Sequence, residues 1–251
     1  KKDARKIFGK DNIFREYVTR KGNTAAALAK ADIVIERSYT TGYQVHCYLE
    51  TQGMLAEPEL DNGIVVHGSM QCPYYVVNAV GYILGLPQSR IRVVQATTGG
   101  GFGGKEDMPS IVAGHAALCA WKLNRPVKLV YDREENFLAM SKRHPSHITI
   151  TYGAKKDGTL TACRMRYILD GGAYSTLTPV VVARGHMHAA GPYNIPHVLV
   201  ESYGVATNKV PSGAFRGFGQ PQVTFANESC LDELAARLKM DPRAIRLKNR
   251  L

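Results

Sequence analysis

The stretch Gly99-Gly100-Gly101-Phe102-Gly103-Gly104-Lys105-Glu106 limits the folds open to this chain more than any other. Ile91 to Ala96 before it reads as a buried strand, and Ser110 to Leu123 after it reads as a helix. The loop therefore crosses from the end of one element to the start of the other. Glycine at all but one of its first six places removes the Cβ atoms that would keep the backbone from positive φ and from close approach to a ligand. Such a loop is expected to bind something, the plain alternative being a tight turn packed on a neighbouring strand.

Two familiar patterns nearly fit the same letters. Gly99, Gly101 and Gly104 spell G-x-G-x-x-G, and Asp132 ends the next strand near the place of a ribose-binding acid. Against a dinucleotide site, Lys105-Glu106 puts charge where such a helix packs apolar residues on its sheet, and no further βα unit follows. Gly99, Gly104 and Lys105 also suit a phosphate-binding loop. There Glu106 takes the Ser/Thr place, where a carboxylate offers no hydroxyl and repels a triphosphate.

A length of 251 residues with 45% apolar side chains allows one large domain or two small ones around a substantial core. The 32 basic and 21 acidic side chains leave +11, an excess that is heaviest between Lys1 and Lys30. No basic run interleaved with aromatics accompanies it, so nucleic acid is not an expected partner. Cys47, Cys72, Cys119, Cys163 and Cys230 are odd in number and far apart, which fits reduced thiols and neither a disulfide framework nor a zinc or iron-sulfur spacing. With no signal peptide or membrane-length apolar run, and an opening Lys1-Lys2 in place of Met, a cytoplasmic fragment of something longer is expected.

Along the chain, residues 1–23 read as a linker leading into the fold and Thr24 to Ala31 as a short helix capped by Asn23 or Thr24. Ile33 to Tyr39 alternates as a half-buried strand does, and His46 to Glu57 is expected to continue that sheet, with His46 a hydrogen-bonded core histidine beside a buried Cys47. Ile64 to Gly68 is a strand, followed by a helix from Tyr74 to Leu84 with Pro73 near its first turn. Gln71 thus stands at a second strand-to-helix junction. If the two strands are parallel neighbours, both junctions open at one sheet edge, where ligands of such sheets sit; otherwise Gln71 only caps its helix.

Val127 to Val130 is a strand before a short helix at Arg133. Ile148 to Tyr152 and Leu160 to Leu169 flank a turn at Asp157-Gly158 and read as a hairpin, with a bulge at Asp170-Gly171-Gly172. His186 and His188 would share a face if they lay on a strand, but no third ligand is spaced to complete a metal site. Arg184 follows the apolar run Pro179 to Ala183 and calls for an acid partner or an anionic ligand. Ala214-Phe215-Arg216-Gly217-Phe218-Gly219 is a second glycine-rich loop, whose two rings and cation suit a flat, electron-rich ligand. An amphipathic helix from Thr224 to Leu238 and one begun by Asp241-Pro242 complete the chain.

Ser69-Met70-Gln71, Gly99 to Glu106 and Ala214 to Gly219 together resemble, in order and spacing, the first molybdopterin-binding domain of the xanthine dehydrogenase and aldehyde oxidase family. The likeness spans residues 24–251 and implies an α+β fold of mixed β-sheets with packed helices. It implies a molybdenum-molybdopterin cofactor, the cytosine dinucleotide form being one option, approached by Gln71, Gly101, Phe102, Gly103 and Arg216. Of these, Gln71 through its amide and Phe102 and Arg216 through their backbone would stand nearest the metal. Phe218, with Phe215, would hold a flat substrate ring. Glu106 and Arg184 match the places of an acid and an arginine that bind the heterocycle in the purine-hydroxylating branch, where aldehyde-oxidising relatives tend to carry apolar residues.

The resemblance therefore implies hydroxylation of a purine such as xanthine or hypoxanthine at a ring carbon, with water as oxygen source. Arg184 would stabilise charge developing on the ring, and Glu106 would hydrogen-bond it. The family's general base is a glutamate of a second molybdenum-binding domain, and its 2Fe-2S and FAD centres lie on other domains or subunits, so this piece alone is expected to be inactive. Hydroxylation of nicotinate or another N-heterocycle is the nearest alternative. A nucleotide-binding module using the Gly99–Gly104 loop, or a basic interaction module, would be the reading from another class.

Overall fold

A computed structural model describes residues 4–59 and 61–251. Two compact units emerge, one formed by residues 1–43, 144–212 and 217–251, the other by residues 44–143 and 213–216. Lys1 to Asp3, at the head of the expected linker, lie outside the described residues.

The first unit is built on a five-stranded sheet of β1 (Ile13–Lys21), β2 (Ile33–Thr41), β7 (Ser146–Ala154), β8 (Leu160–Gly172) and β9 (His197–Ala206), ordered β1-β9-β8-β7-β2. The hairpin expected around Asp157-Gly158 is β7 against β8, antiparallel from Ser146↔Leu169 to Ala154↔Leu160. The bulge expected at residues 170–172 is a register shift between Asp170 and Gly172 in the parallel β8–β9 pair. Helices α1 (Thr24–Ala29), α5 (Thr178–His188), α6 (Gln220–Leu238) and α7 (Pro242–Asn249) complete it. The alternate residues Ile148, Ile150 and Tyr152 of β7 and Met165, Tyr167 and Leu169 of β8 share one core with Val181 and Val182 of α5 and with Val223, Ala226, Cys230, Leu231 and Leu234 of α6.

Three expectations change here. Residues 13–21 are not linker: they pair antiparallel with β9 from Ile13↔Val205 to Lys21↔Val198. As an edge strand β1 turns only Ile13, Phe14 and Tyr17 partly inward, so its period of two hardly shows in the letters. The segment holding His186 and His188 is helical, begun by Pro179 at its first turn. On a helix, residues two apart point to different sides, so the histidines do not share a face. Arg184 is exposed on α5, so the apolar run before it does not bury its guanidinium and no partner is required of it by burial.

The second unit holds a four-stranded sheet, β5-β4-β3-β6, made of β3 (Gly53–Pro58), β4 (Ile64–Gly68), β5 (Ile91–Gln95) and β6 (Val127–Val130). Helices α2 (Pro73–Leu84) and α3 (Pro109–Leu123) bury Val76, Val80, Val112, Ala116 and Ala120 against Met54, Ala56, Ile64 and Val66 of the sheet. Residues 44–50 do not extend the first sheet: strand structure resumes only at Gly53, and in the other sheet. Cys47 is exposed, while His46 is buried as expected. A short helix, α4 (Arg133–Ala139), follows β6.

Only β4 and β5 run parallel, paired from Ile64↔Ile91 to Gly68↔Gln95. The sheet is therefore not doubly wound, which removes the frame that a dinucleotide site requires. Asp132 is likewise accounted for as the N-cap of α4, accepting from Glu135 N while the Glu135 side chain bonds back to the Asp132 amide. Among the described residues no helix is long and apolar enough to cross a membrane.

Candidate functional site

Because β4 and β5 are parallel neighbours, their carboxyl ends lie side by side, and the two strand-to-helix junctions open at the same sheet edge. From the first junction comes Gln71. From the second comes the glycine loop, which runs from the end of β5 to the start of α3.

Gln71 is not the helix cap. Cys72 is the N-cap of α2. The Gln71 side-chain oxygen instead accepts from the backbone N–H of Gly103 at 2.9 Å and of Lys105 at 3.2 Å, while the Gln71 backbone N–H donates to Lys105 O at 2.6 Å. Two N–H donors converging on one amide oxygen fix which way the amide points. Its Nε2 group is turned away from the loop and meets no acceptor among the described residues.

The loop's backbone is shaped for this contact. Phe102 and Gly103 have φ of +53° and +98°. A Cβ on Gly101 would stand 2.5 Å from Gln71 Oε1, and one on Gly103 2.8 Å from the carbonyl carbon of Ala214. Gly104 N turns back to Gly101 O at 2.8 Å, and Gln52 Nε2 donates to Gly104 O at 2.7 Å. These bonds commit the far half of the loop. The amides of Gly100, Gly101 and Phe102 donate to no group among the described residues, and the Phe102 ring is exposed.

The second glycine-rich loop meets the first through its backbone. Arg216 N donates to Phe102 O at 2.9 Å, and Gly213 N to Lys142 O at 2.9 Å. Phe215 is half-buried, stacked on His46 with ring centroids 4.3 Å apart, and Arg143 lies over it at 3.9 Å. Arg143 also donates to Arg216 O at 2.8 Å. His46 Nε2 holds Ala214 O at 2.7 Å. Burial pushes His46 down to about 4 despite that bond, so near neutral pH the ring is uncharged and Nε2 carries the donated proton.

Glu106, half-buried just after the loop, has its carboxyl pushed above the usual range by burial and then by the charge of Asp107. Asp107 is pushed the same way by burial.

Of the residues singled out in the sequence, Gln71, Gly101, Phe102, Gly103, Glu106, Phe215 and Arg216 therefore belong to the four-stranded unit, whereas Arg184 and Phe218 belong to the five-stranded one. Phe218 is half-buried with φ of +53°, just ahead of Gly219, the N-cap of α6. The sequence reading missed Gln52 and Arg143, and it gave His46 no part in holding the second loop. The excess of polar letters between Gln44 and Gln52 was the available signal for the first; nothing local marks Arg143.

The donor set tests what could sit here. Uncommitted backbone amides and a carboxamide N–H₂, with no carboxylate among them, suit the oxygen and sulfur acceptors of an anionic cofactor better than a bare cation. Gln71, Gly101 and Phe102 are the residues that would hold such a group, since the Arg216 amide is committed to Phe102 O and the Gly103 amide to Gln71 Oε1.

Residues 7–250, which include the parallel strand pair, the glycine cradle and Gln71, match the family model described as "Molybdopterin cofactor-binding domain", and the chain belongs to that family. Within it the chain is similar to members of the xanthine dehydrogenase group. It is 40% identical over 247 residues to the nicotinate dehydrogenase large molybdopterin subunit of Eubacterium barkeri, covering 98% of this chain and 58% of that protein. It is 36% identical over 248 residues to the xanthine dehydrogenase molybdenum-binding subunit of Escherichia coli, covering 98% and 33%. Among solved structures, the aldehyde oxidoreductase of Desulfovibrio gigas superposes with a TM-score of 0.93 at 32% identity over 100% of this chain and 28% of its own. The chain thus spans between 16% and 58% of the length of the curated relatives it matches. The match begins at residue 7, inside the stretch read as linker.

Proposed function

We propose that this chain supplies the first molybdopterin-binding half of a hydroxylase acting on a ring carbon of a nitrogen heterocycle, with a purine such as xanthine or hypoxanthine as the expected substrate. The observation that carries this reading is the outward Nε2 of Gln71 beside the uncommitted amides of Gly101 and Phe102. When bound, the molybdenum cofactor would supply two-electron oxidation of a C–H carbon with water as the oxygen source. Everything else falls to side chains.

Glu106, whose carboxyl is pushed above the usual range by burial and the charge of Asp107, hydrogen-bonds a ring nitrogen or carbonyl of the substrate. Arg184 stabilises negative charge that builds on the ring during attack, and Phe218, with Phe215, holds the ring plane. A glutamate base on a second molybdenum-binding domain, and 2Fe-2S and FAD centres on further domains or subunits, complete the proposed enzyme, which acts in the cytoplasm. The cofactor's form is open to test: release of cytidine monophosphate on acid hydrolysis of the holoprotein would assign the cytosine dinucleotide.

Nicotinate is the second reading, favoured by the relative at 40% identity whose name carries that substrate. Its carboxylate would suit Arg184 as well as a purine's developing charge does. Steady-state assays of the complete protein on xanthine, hypoxanthine, nicotinate and a simple aldehyde separate the two. Arg184→Met is expected to lower kcat/KM for the heterocycle by about 100-fold while aldehyde turnover changes by less than about threefold. Equal losses on both would remove Arg184 from substrate recognition.

A further inference from the structure

Lys105, the residue that ends the glycine loop, has no exposed side-chain surface at all. Its ammonium lies 2.6 Å from Glu50 Oε2 and 3.0 Å from Ser69 Oγ, and 4.9 Å from the centre of the Tyr48 ring. Burial pulls its pKa down, opposed by Glu50. Glu50 is 42% exposed, and its carboxyl stays below the usual range because the bonds from Lys105, Ser69 and the Gly99 amide outweigh its partial burial. A lysine hidden in this way adds little stability, since an apolar side chain of similar length would avoid the loss of hydration. Its value lies in what Glu50 does with the other bond.

The same oxygen, Glu50 Oε2, accepts from the backbone N–H of Gly99 at 2.7 Å, and Glu50 N donates to Gly99 O at 3.2 Å. One carboxylate therefore holds the first residue of the glycine loop through its backbone and the last through its side chain. The ends being fixed, the bonds from Gln71 and Gln52 hold the far half, and the amides of Gly100, Gly101 and Phe102 are left pointing free.

We propose that Glu50 and Lys105 are positioning residues: a charged clasp that sets the shape of the glycine loop before any cofactor arrives. What the loop receives rests on the function proposed above; the clasp itself does not.

The test is hydrogen exchange on the complete protein, purified with its cofactor and after the cofactor has been removed, together with its molybdopterin content. Lys105→Met removes the cation and leaves Glu50 facing water, so no charge is stranded. It is expected to keep or raise the thermal midpoint while the bonded loop amides of Gly99, Gly103, Gly104 and residue 105 exchange about tenfold faster than in wild type, those of α3 unchanged, and molybdopterin content falls at least about threefold. Should that variant not fold, the double variant Glu50→Ala/Lys105→Met is measured in the same way, with the same expectation. Loop exchange within about twofold of wild type would overturn the clasp, as would loop and α3 amides accelerating together. If wild-type protein held no molybdopterin, the proposed function would fall, while exchange in the cofactor-free protein would still decide the clasp.

Discussion

Where the five-stranded unit hides polar side chains it uses neutral groups such as Thr178, Ser202, Ser212, Gln222, Asn227 and Asn249, whereas the four-stranded unit hides the cations Lys105, Lys142 and Arg143 in addition to His46, Gln52, Ser69, Asn136 and Ser141. The first set is neutral and mostly paired: Tyr152 OH donates to Asn227 Oδ1 and Asn249 Nδ2 to Ile245 O at 2.7 Å, while Ser212 Oγ and the Gln222 side-chain oxygen meet no partner among the described residues. Such groups cost little to bury once paired. Buried cations cost far more, and each of these touches a stretch of irregular backbone. Lys105 ends the glycine loop, Lys142 closes the end of α4 by donating to Phe137 O at 2.6 Å and to Met140 O just past the helix, and Arg143 holds Arg216 O. The contrast separates a unit that is packed for stability from one in which charge is used to give loops a single shape.

Four measurements would break or sharpen that contrast. Gly103→Ala should do the greatest damage, because φ is +98° and the new Cβ would meet the Ala214 carbonyl carbon at 2.8 Å. A loss of about 3 kcal/mol in denaturant unfolding is expected, with loss of molybdopterin. A loss under about 1 kcal/mol would mean that the two loops are not rigidly joined.

Acid comes next. His46 has a folded pKa of about 4, below its ordinary value of 6.5. The stability held by the neutral ring is therefore complete above pH 6.5 and is lost as pH falls toward 4, where the unfolded chain takes up a proton that the folded one refuses. The full loss amounts to about 3 kcal/mol, and His46→Gln should flatten that part of the stability profile in a pH series of thermal melts.

Gly101→Ala strikes one atom, since its Cβ would stand 2.5 Å from Gln71 Oε1. Stability should fall by only about 1 kcal/mol as Gln71 swings aside, yet molybdopterin content, read by pterin fluorescence after oxidation, should drop several-fold. The smallest effect belongs to the other unit. Tyr152→Phe should cost about 1 kcal/mol and leave molybdopterin content unchanged. A drop in content there would dissolve the distinction between the units.

Much of the architecture was legible because its signals are local. The strands at Ile64 and Ile91, the helices they feed and the Asp157-Gly158 hairpin carry runs or alternations closed by proline, glycine or a cap. Reading Gln71 and the glycine loop as one sheet edge needed only that two strands be parallel, and they are. The failures have physical causes. As an edge strand β1 shows almost no inward face, and the β-branched Val180-Val181-Val182 run gives no helical signal of its own, so α5 is set by packing on the sheet. Glu50 and Arg143 reach partners 55 and 73 residues away, so their parts were set by tertiary contacts that no window of sequence contains.

Residues 213–216 belong with the glycine loop, although the chain on either side of them belongs to the five-stranded unit. The carbonyl of Phe102 consequently waits for its partner until synthesis has reached Arg216. A nascent chain halted anywhere between α3 and Gly213 would own every glycine of the cradle and still be unable to close it.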